Sequence, residues 1–144
     1  MKWPNDVQID GRKVSGILSS VESVRNDWIA VVGMGINVNE APDLASSISV
    51  AEAVGRQVSR ELLVQAVLSD LERLVEEAGK NPNAVRSRWV ERLDTLDRNV
   101  CATAVDRVVI GRAVDVDAEG SLIIVDNDLQ RHVVRAADVT LSPT

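Results

Sequence analysis

Two short stretches near the start of the chain, K-W-P-N-D at 2–6 and R-K-V-S-G-I-L at 12–18, decide how the rest of the sequence is interpreted. Between them lies the dipeptide Asp10-Gly11. Asp-Gly flanked by hydrophobic residues favours a tight hairpin, because both central residues of the preferred turn need positive φ. The sequence therefore predicts a hairpin that brings the polar residues of the first stretch toward Lys13. Opposite charges and amide donors gathered at one place suit an anionic ligand that accepts hydrogen bonds.

The same residues also have a purely structural interpretation. A Lys at the end of a hairpin strand is usually a solvated side chain, and Asn-Asp after Pro is usually a turn. Spacing alone leaves both interpretations open.

Composition excludes several classes of protein. With 144 residues, of which 45% are hydrophobic, the chain can form one domain, or a larger domain and a very small one. Aromatic residues make up only 2%, which argues against a surface that stacks nucleic-acid bases. The net charge of −6 leaves no basic face for a phosphate backbone. We therefore expect no nucleic-acid partner.

The sequence also predicts a cytoplasmic protein. A single cysteine, Cys101, rules out an internal disulfide, and no exported leader is recognisable. No apolar run approaches the roughly 18 residues that a membrane-spanning helix needs, so no membrane contact is expected.

A mixed α/β part precedes a β-rich part. In the first part, strands are predicted at 7–9, 14–21 and 28–32, and helices at 50–54, at 60–78 and from Asn81-Pro82 onward. The apolar run 28–32 is typical of a strand buried on both faces. Apolar residues recur every three or four positions along 60–78, which predicts a helix packed on the core.

Beyond Leu96, five short β-rich runs in under fifty residues indicate a small barrel. The predicted runs are 100–105, 108–116, 121–125, 132–134 and 139–141. His132, the only histidine, has no cluster of metal ligands at suitable spacing, so it is expected to be a surface residue, and no metal site is predicted. Cys101 is expected to be a buried small residue.

The segment V-V-G-M-G-I-N-V-N at 31–39 contains two glycines at the end of a predicted strand. It fails as a dinucleotide fingerprint, because Val38 stands at the third glycine position and no helix pattern begins there. Glycines let the backbone come close to a ligand, and Asn37 offers both a donor and an acceptor. A glycine-rich strand end whose Asn caps its own turn is the structural alternative.

Taken in order, K-W-P-N-D, R-K-V-S-G-I-L and V-V-G-M-G-I-N-V-N resemble the signature series of the biotin protein ligases, which attach biotin to carboxylases. The resemblance implies an α/β (α+β) fold: a mixed, mostly antiparallel sheet with packed helices, followed by an SH3-like β-barrel. Residues 1–95 would be the C-terminal portion of the catalytic domain, and residues 96–144 the SH3-like domain.

The resemblance also implies a chemistry. Such ligases make biotinyl-5'-adenylate from biotin and ATP with Mg²⁺, and then transfer biotin to a lysine of the biotin carboxyl carrier domain of a carboxylase. Lys13 falls on the family's essential lysine, which contacts the biotin carboxylate and the phosphate, and Asp6 falls on a candidate general base or orienting group. The other positions implied to bind biotin or the adenylate are Lys2, Trp3, Asn5, Gly16, Ile17, Leu18, Gly35 and Asn37.

One departure from the family limits the expected activity. The family's glycine- and arginine-rich loop, G-R-G-R-x-G-R, lies upstream of K-W-P-N-D, and this chain begins directly before that motif. We therefore expect the chain to be inactive, or nearly so, by itself. Two alternatives stay open: a lipoate-type ligase, which shares the fold, and a non-catalytic module whose sheet edges pair with a second copy, giving a homodimer, or with a separate N-terminal half.

Overall fold

The computed structural model describes residues 1–25, 27–105 and 107–141, so Asn26 of a predicted turn and Asp106 of a predicted strand break lie outside the described residues. The chain forms two compact units. The first is Asn5–Val85, and the second joins Met1–Pro4 to Arg86–Thr144. This division falls earlier in the chain than the boundary expected after residue 95, which stays a prediction.

The first unit is built on a three-stranded antiparallel sheet in the order β1-β2-β3. The strands are β1 (Asp6–Ile9), β2 (Arg12–Val24) and β3 (Asp27–Ile36). The predicted hairpin turn is confirmed, because Asp10 and Gly11 have φ values of 49° and 75°.

The prediction that residues 28–32 are buried on both faces is wrong. Every one of these residues is exposed, and the Trp28 side chain retains 76% of its accessible surface. The apolar run predicted the strand correctly, but burial depends on a covering layer. β1 is four residues long and, within the part of the chain that is described, pairs only with the beginning of β2.

Three helices follow: α1 (Val50–Val54), α2 (Arg60–Lys80) and α3 (Pro82–Val90). Ser49 and Ser59 cap α1 and α2, since their side chains accept hydrogen bonds from Glu52 N and Leu62 N. These starts agree with the sequence. The prediction that α2 packs on a core is wrong, because none of its residues is buried. A half-buried stripe runs along one side of α2, at Leu63, Val67, Leu71 and Leu74.

The second unit contains a five-stranded antiparallel sheet in the order β7-β6-β5-β4-β8. Its strands are β4 (Asn99–Thr103), β5 (Val108–Val116), β6 (Leu122–Val125), β7 (Arg131–Val134) and β8 (Asp138–Leu141). All five predicted strands are therefore present. The sheet is open between β7 and β8 over the residues described, which is consistent with the small barrel that the sequence indicated.

A tryptophan from the start of the chain completes the core of this second unit. The Trp3 side chain is 1% exposed and lies in the same buried cluster as Val100, Leu122 and Ile124. Its indole Nε1 donates a hydrogen bond to Gly120 O at 2.9 Å. Trp3 is thus an anchor of the second unit, with no exposed ring face.

Within the ranges described, no helix is both long and apolar enough to cross a membrane.

Asp126 organises the turn between β6 and β7. Its carboxylate accepts hydrogen bonds from the backbone N–H groups of Asp128 and Gln130, both at 2.9 Å, and lies 2.6 Å from His132 Nε2. The contact with His132, followed by the Gln130 N–H, lowers the pKa of Asp126 below its ordinary value. His132 is therefore half-buried and paired rather than simply exposed, and Cys101 is also half-buried rather than buried.

The close approach of two strands at Gly111 generates a stability prediction. A Cβ at this position would lie 2.3 Å from Val125 O and 2.8 Å from Val125 C, so Gly111→Ala must displace backbone. We expect Gly111→Ala to lower the free energy of unfolding by about 1–3 kcal/mol, measured by urea denaturation. Gly79→Ala in α2 is the control: no atom lies within 4 Å of its Cβ, and the change should stabilise the helix by roughly 0.5–1 kcal/mol. Equal effects of the two substitutions would contradict the prediction.

A pH prediction follows from the Asp126 turn. Because the folded state lowers the pKa of Asp126, its carboxylate stabilises the fold at pH values above the ordinary value of 3.8, and this contribution is lost as the pH falls through the folded pKa. Asp126→Asn should therefore have a lower Tm than the native chain near neutral pH. The Tm values of the variant and of the native chain should converge once the pH falls below the folded pKa of Asp126. A Tm difference that is independent of pH would refute the role of the charge.

Candidate functional site

A cavity of about 870 Å³ in the first unit gathers most of the predicted site. It lies where parts of β2 and β3 meet the segment that follows β3. The predicted residues that line it are Asn5, Lys13, Gly16, Ile17, Leu18, Gly35 and Asn37. Residues separated by more than thirty positions in the sequence thus surround one space.

The two predicted catalytic residues form an ion pair, of which Lys13 lines this cavity and Asp6 is not among its lining residues. Lys13 Nζ is 2.6 Å from Asp6 Oδ1. The β1–β2 ladder places Asp6 opposite Gly16, and a Cβ on Gly16 would lie only 3.2 Å from Lys13 Nζ. Gly16 therefore leaves the space through which the Lys13 side chain reaches Asp6.

The exposure of this pair decides what it can do. The Lys13 side chain is 47% exposed and that of Asp6 is 19% exposed. The ammonium group has three donors, so it can bind an external anion while it keeps its contact with the carboxylate. A solvent-exposed pair of this kind contributes only about 0–1 kcal/mol to stability. The arrangement therefore suits the binding of negative charge better than it suits holding the fold together.

The backbone of Lys13 is fixed by a segment that sequence reasoning did not assign to the site. Lys13 N donates to Ser46 O at 2.7 Å, and Ile48 N donates to Lys13 O at 3.0 Å. Ile48 is buried, so it anchors this segment where it pairs with Lys13. The segment looks like a turn-rich connection in the sequence, and no local pattern indicates its pairing with β2.

Apolar side chains form another part of the cavity lining. Ile17 and Leu18 were predicted from the family resemblance, whereas Met34, Ile36 and Leu44 were not. A Cβ built on Gly35 would have no atom within 4 Å, so the backbone there is open to the cavity. The lining thus combines a cationic position with apolar surface and accessible backbone.

Lys2 and Trp3 belong to the second unit by contact. Trp3 is buried there, and Lys2 is half-exposed. Their contact with a ligand stays a prediction.

Among the described residues there is no group of three or more His, Cys, Asp or Glu side chains that could hold a metal ion.

A second cavity of about 770 Å³ lies beside the first within the same unit. Its lining includes Arg12 and Glu52, whose side chains form an ion pair at 2.6 Å. Pro42, Leu44 and Ser47 line both cavities. The segment 42–47 is therefore a wall between them.

Comparison with known proteins finds similar chains. Residues 1–39 match the Biotin/lipoate A/B protein ligase family. The chain is 29% identical to the bifunctional ligase/repressor BirA of Bacillus subtilis, over 98% of this chain and 46% of that protein. It is 30% identical to the biotin–[acetyl-CoA-carboxylase] ligase of Mycobacterium tuberculosis, over 96% of this chain and 52% of that protein. The chain spans about half the length of these relatives.

Solved structures show the same fold. The apo structure of the biotin protein ligase from Aquifex aeolicus superposes with a TM-score of 0.84 at 22% identity, covering 99% of this chain and 65% of that one. The structure of the Aquifex aeolicus ligase in complex with biotin and ATP gives a TM-score of 0.79 at 21% identity, covering 100% of this chain and 62% of that one. In sequence and in fold, the chain is a relative of the biotin protein ligases and corresponds to the C-terminal part of those proteins.

Proposed function

We propose that this chain provides part of the active site of a biotin protein ligase, which forms biotinyl-5'-adenylate from biotin and ATP with Mg²⁺ and transfers biotin to a lysine of a biotin carboxyl carrier domain. The observation that carries the proposal is Lys13, which lines the 870 Å³ cavity and forms an ion pair with Asp6, in a chain similar to such ligases. The protein would act in the cytoplasm, where its carboxylase partner would be found.

Lys13 would act in the first step. A biotin carboxylate oxygen attacks the α-phosphorus of ATP, a new P–O bond forms, and pyrophosphate leaves. Two anions must approach each other and the phosphate gains negative charge, so a fixed ammonium group at this position lowers the barrier. The exposed side of Lys13 can meet both the carboxylate and the phosphate while Asp6 holds the other side.

Asp6 would act in the second step. The amine of the acceptor lysine attacks the acyl carbon of the adenylate, the C–O bond breaks, and AMP leaves. The amine must lose a proton, and a carboxylate next to Lys13 can accept or orient that proton. Asp6 is the carboxylate that touches Lys13, so it is the candidate for this role.

The remaining residues would hold the ligands. Ile17 and Leu18 give apolar surface for the bicyclic ring of biotin, and Gly35 lets the ligand approach the backbone. Asn5 and Asn37 supply polar groups at the cavity lining, whereas the ligand contacts that the family resemblance implies for Lys2 and Trp3 stay predictions. Mg²⁺ binds through phosphate oxygens and one or two carboxylates rather than through an all-protein cage. We propose that it arrives with ATP, held through the phosphate oxygens.

Substitution of Lys13 tests the proposal. A chimera that carries residues 1–144 in place of the matching part of the Mycobacterium tuberculosis ligase should form biotinyl-adenylate, measured as biotin-dependent pyrophosphate release. Lys13→Ala in the chimera should lower the rate by about 10²–10³-fold, because charge stabilisation of the transition state is lost. Its free energy of unfolding should change by less than about 1 kcal/mol, since the ion pair is exposed.

Lys80→Ala, at the end of α2, is the matched control and should retain the rate of the chimera. An active chimera that is insensitive to Lys13→Ala would overturn the role of this residue. The same assay with lipoate in place of biotin distinguishes a biotin ligase from a lipoate-type ligase. A lipoate-type ligase should release pyrophosphate faster with lipoate than with biotin. The 144-residue chain by itself, without the rest of the chimera, should form no more than trace biotinyl-adenylate.

A second candidate function has its own support. β3 makes a ladder only with β2 among the described residues, and apolar side chains lie exposed on both strands, at Leu18, Val21, Trp28, Val31 and Val32. Unpaired strand edges with apolar faces invite pairing with another chain. The chain would then be a non-catalytic module that joins a second copy or a separate N-terminal half.

The oligomeric state distinguishes this candidate. If the exposed strands pair, sedimentation should show a concentration-dependent dimer, and Val31→Lys on β3 should shift the equilibrium to monomer because a charge is introduced into the contact. Val75→Lys, on the exposed side of α2, is the control and should leave the equilibrium unchanged. A chain that stays monomeric at high concentration would count against self-pairing.

A further inference from the structure

The side chain of Asn37 connects two parts of the backbone at the candidate site. Its Nδ2 atom lies 3.2 Å from Ile48 O and 3.4 Å from Lys13 O. Both neighbours are carbonyl oxygens, so the atom that faces them must be the donating nitrogen of the carboxamide. The two N–H groups of Asn37 are therefore committed to the protein.

The backbone of Asn37 reinforces this connection. Asn37 N donates to Val14 O at 2.9 Å, and Val50 N donates to Asn37 O at 2.8 Å. One residue thus joins the end of β3 to β2 and to the start of α1. These contacts surround the two bonds that hold the Lys13 backbone against Ser46 and Ile48.

Loss of the Asn37 donor would leave Ile48 O without its side-chain partner, and Lys13 O would keep only the hydrogen bond from Ile48 N. A polar group that loses its partner tends to move toward water or toward another donor. The backbone of Lys13 would then be less well fixed, and its ammonium group would meet Asp6 less often. Gly16 makes this contact sensitive, because the side chain passes directly over the glycine.

We propose that Asn37 is a positioning residue for Lys13: its carboxamide bridges the Lys13 and Ile48 carbonyls and thereby holds the Lys13 ammonium on Asp6. This role differs from contact with the nucleotide, which the family resemblance implies for Asn37. Its importance for catalysis rests on the proposed function, but its test does not.

The chain has three lysines, Lys2, Lys13 and Lys80, so the reactivity of each amine can be followed separately. The 144-residue chain is treated with a limiting amount of an amine-acylating reagent, and the modification of each lysine is measured by peptide mass spectrometry across a range of pH. An ammonium group held on a carboxylate reacts slowly. Asn37→Ala should raise the labelling rate of Lys13 roughly two- to fivefold, the range that release of an exposed ion pair allows, and leave Lys80 unchanged.

Asn39→Ala is the matched control. Asn39 also makes two side-chain hydrogen bonds to backbone, with Val58 N at 2.9 Å and Val58 O at 3.0 Å, but neither involves Lys13. Asn39→Ala should therefore leave the labelling rate of Lys13 unchanged from that of the native chain. Asp6→Asn is the positive control, because it weakens the ion pair from the other side and should also raise Lys13 labelling.

Combining Asn37→Ala with Asp6→Asn makes the test specific. If Asn37 acts by holding Lys13 on Asp6, the double variant should label Lys13 no faster than Asp6→Asn alone. Multiplicative effects, no effect of Asn37→Ala on Lys13, or an equal rise at Lys80 would each overturn the proposal. Should Asn37→Ala fail to fold, Asn37→Ser compared with Asn39→Ser repeats the measurement with a shorter side chain. No biotin or ATP is used, so the outcome is independent of whether the chimera is active.

Discussion

The site depends on the pairing of the Lys13 backbone with the segment around Ser46 and Ile48. These two hydrogen bonds bring a connection that would otherwise lie free in solvent against the start of β2. They form the parallel bridge between Lys13 and Ser47, beside the β1–β2 hairpin. Without this crossing, the cavity would lose one side and Lys13 would be an ordinary surface lysine. The chemistry assigned to the Lys13 side chain thus depends on how its main chain is held.

Local interactions explain which features could be predicted from the sequence. The hairpin turn needs only the conformational preferences of Asp10 and Gly11, and the helix starts need only Ser49 and Ser59, so short patterns were enough. The family resemblance added Lys13 and Asp6, and the β1–β2 register brings them together. The contribution of 42–47 could not be predicted, because a parallel bridge between distant residues leaves no local pattern.

Burial was the least predictable property, for a physical reason. The apolar residues of 28–32 and of α2 have the spacing of core elements, yet they are exposed or half-buried in this chain. Periodicity reports which face of an element is apolar and says nothing about what covers it. In the second unit the burial of β5 alternates along most of the strand, and Trp3 and residues of the neighbouring strands belong to the same buried cluster.

The wall formed by 42–47 has a consequence for mutagenesis. Pro42, Leu44 and Ser47 line both cavities, so a substitution at any of these positions changes the surface of both. The wall is also held to β2, because Ser46 O accepts a hydrogen bond from Lys13 N and the buried Ile48 follows directly. The two cavities are therefore not independent sites: they share one partition, and that partition is bonded to the main chain of Lys13.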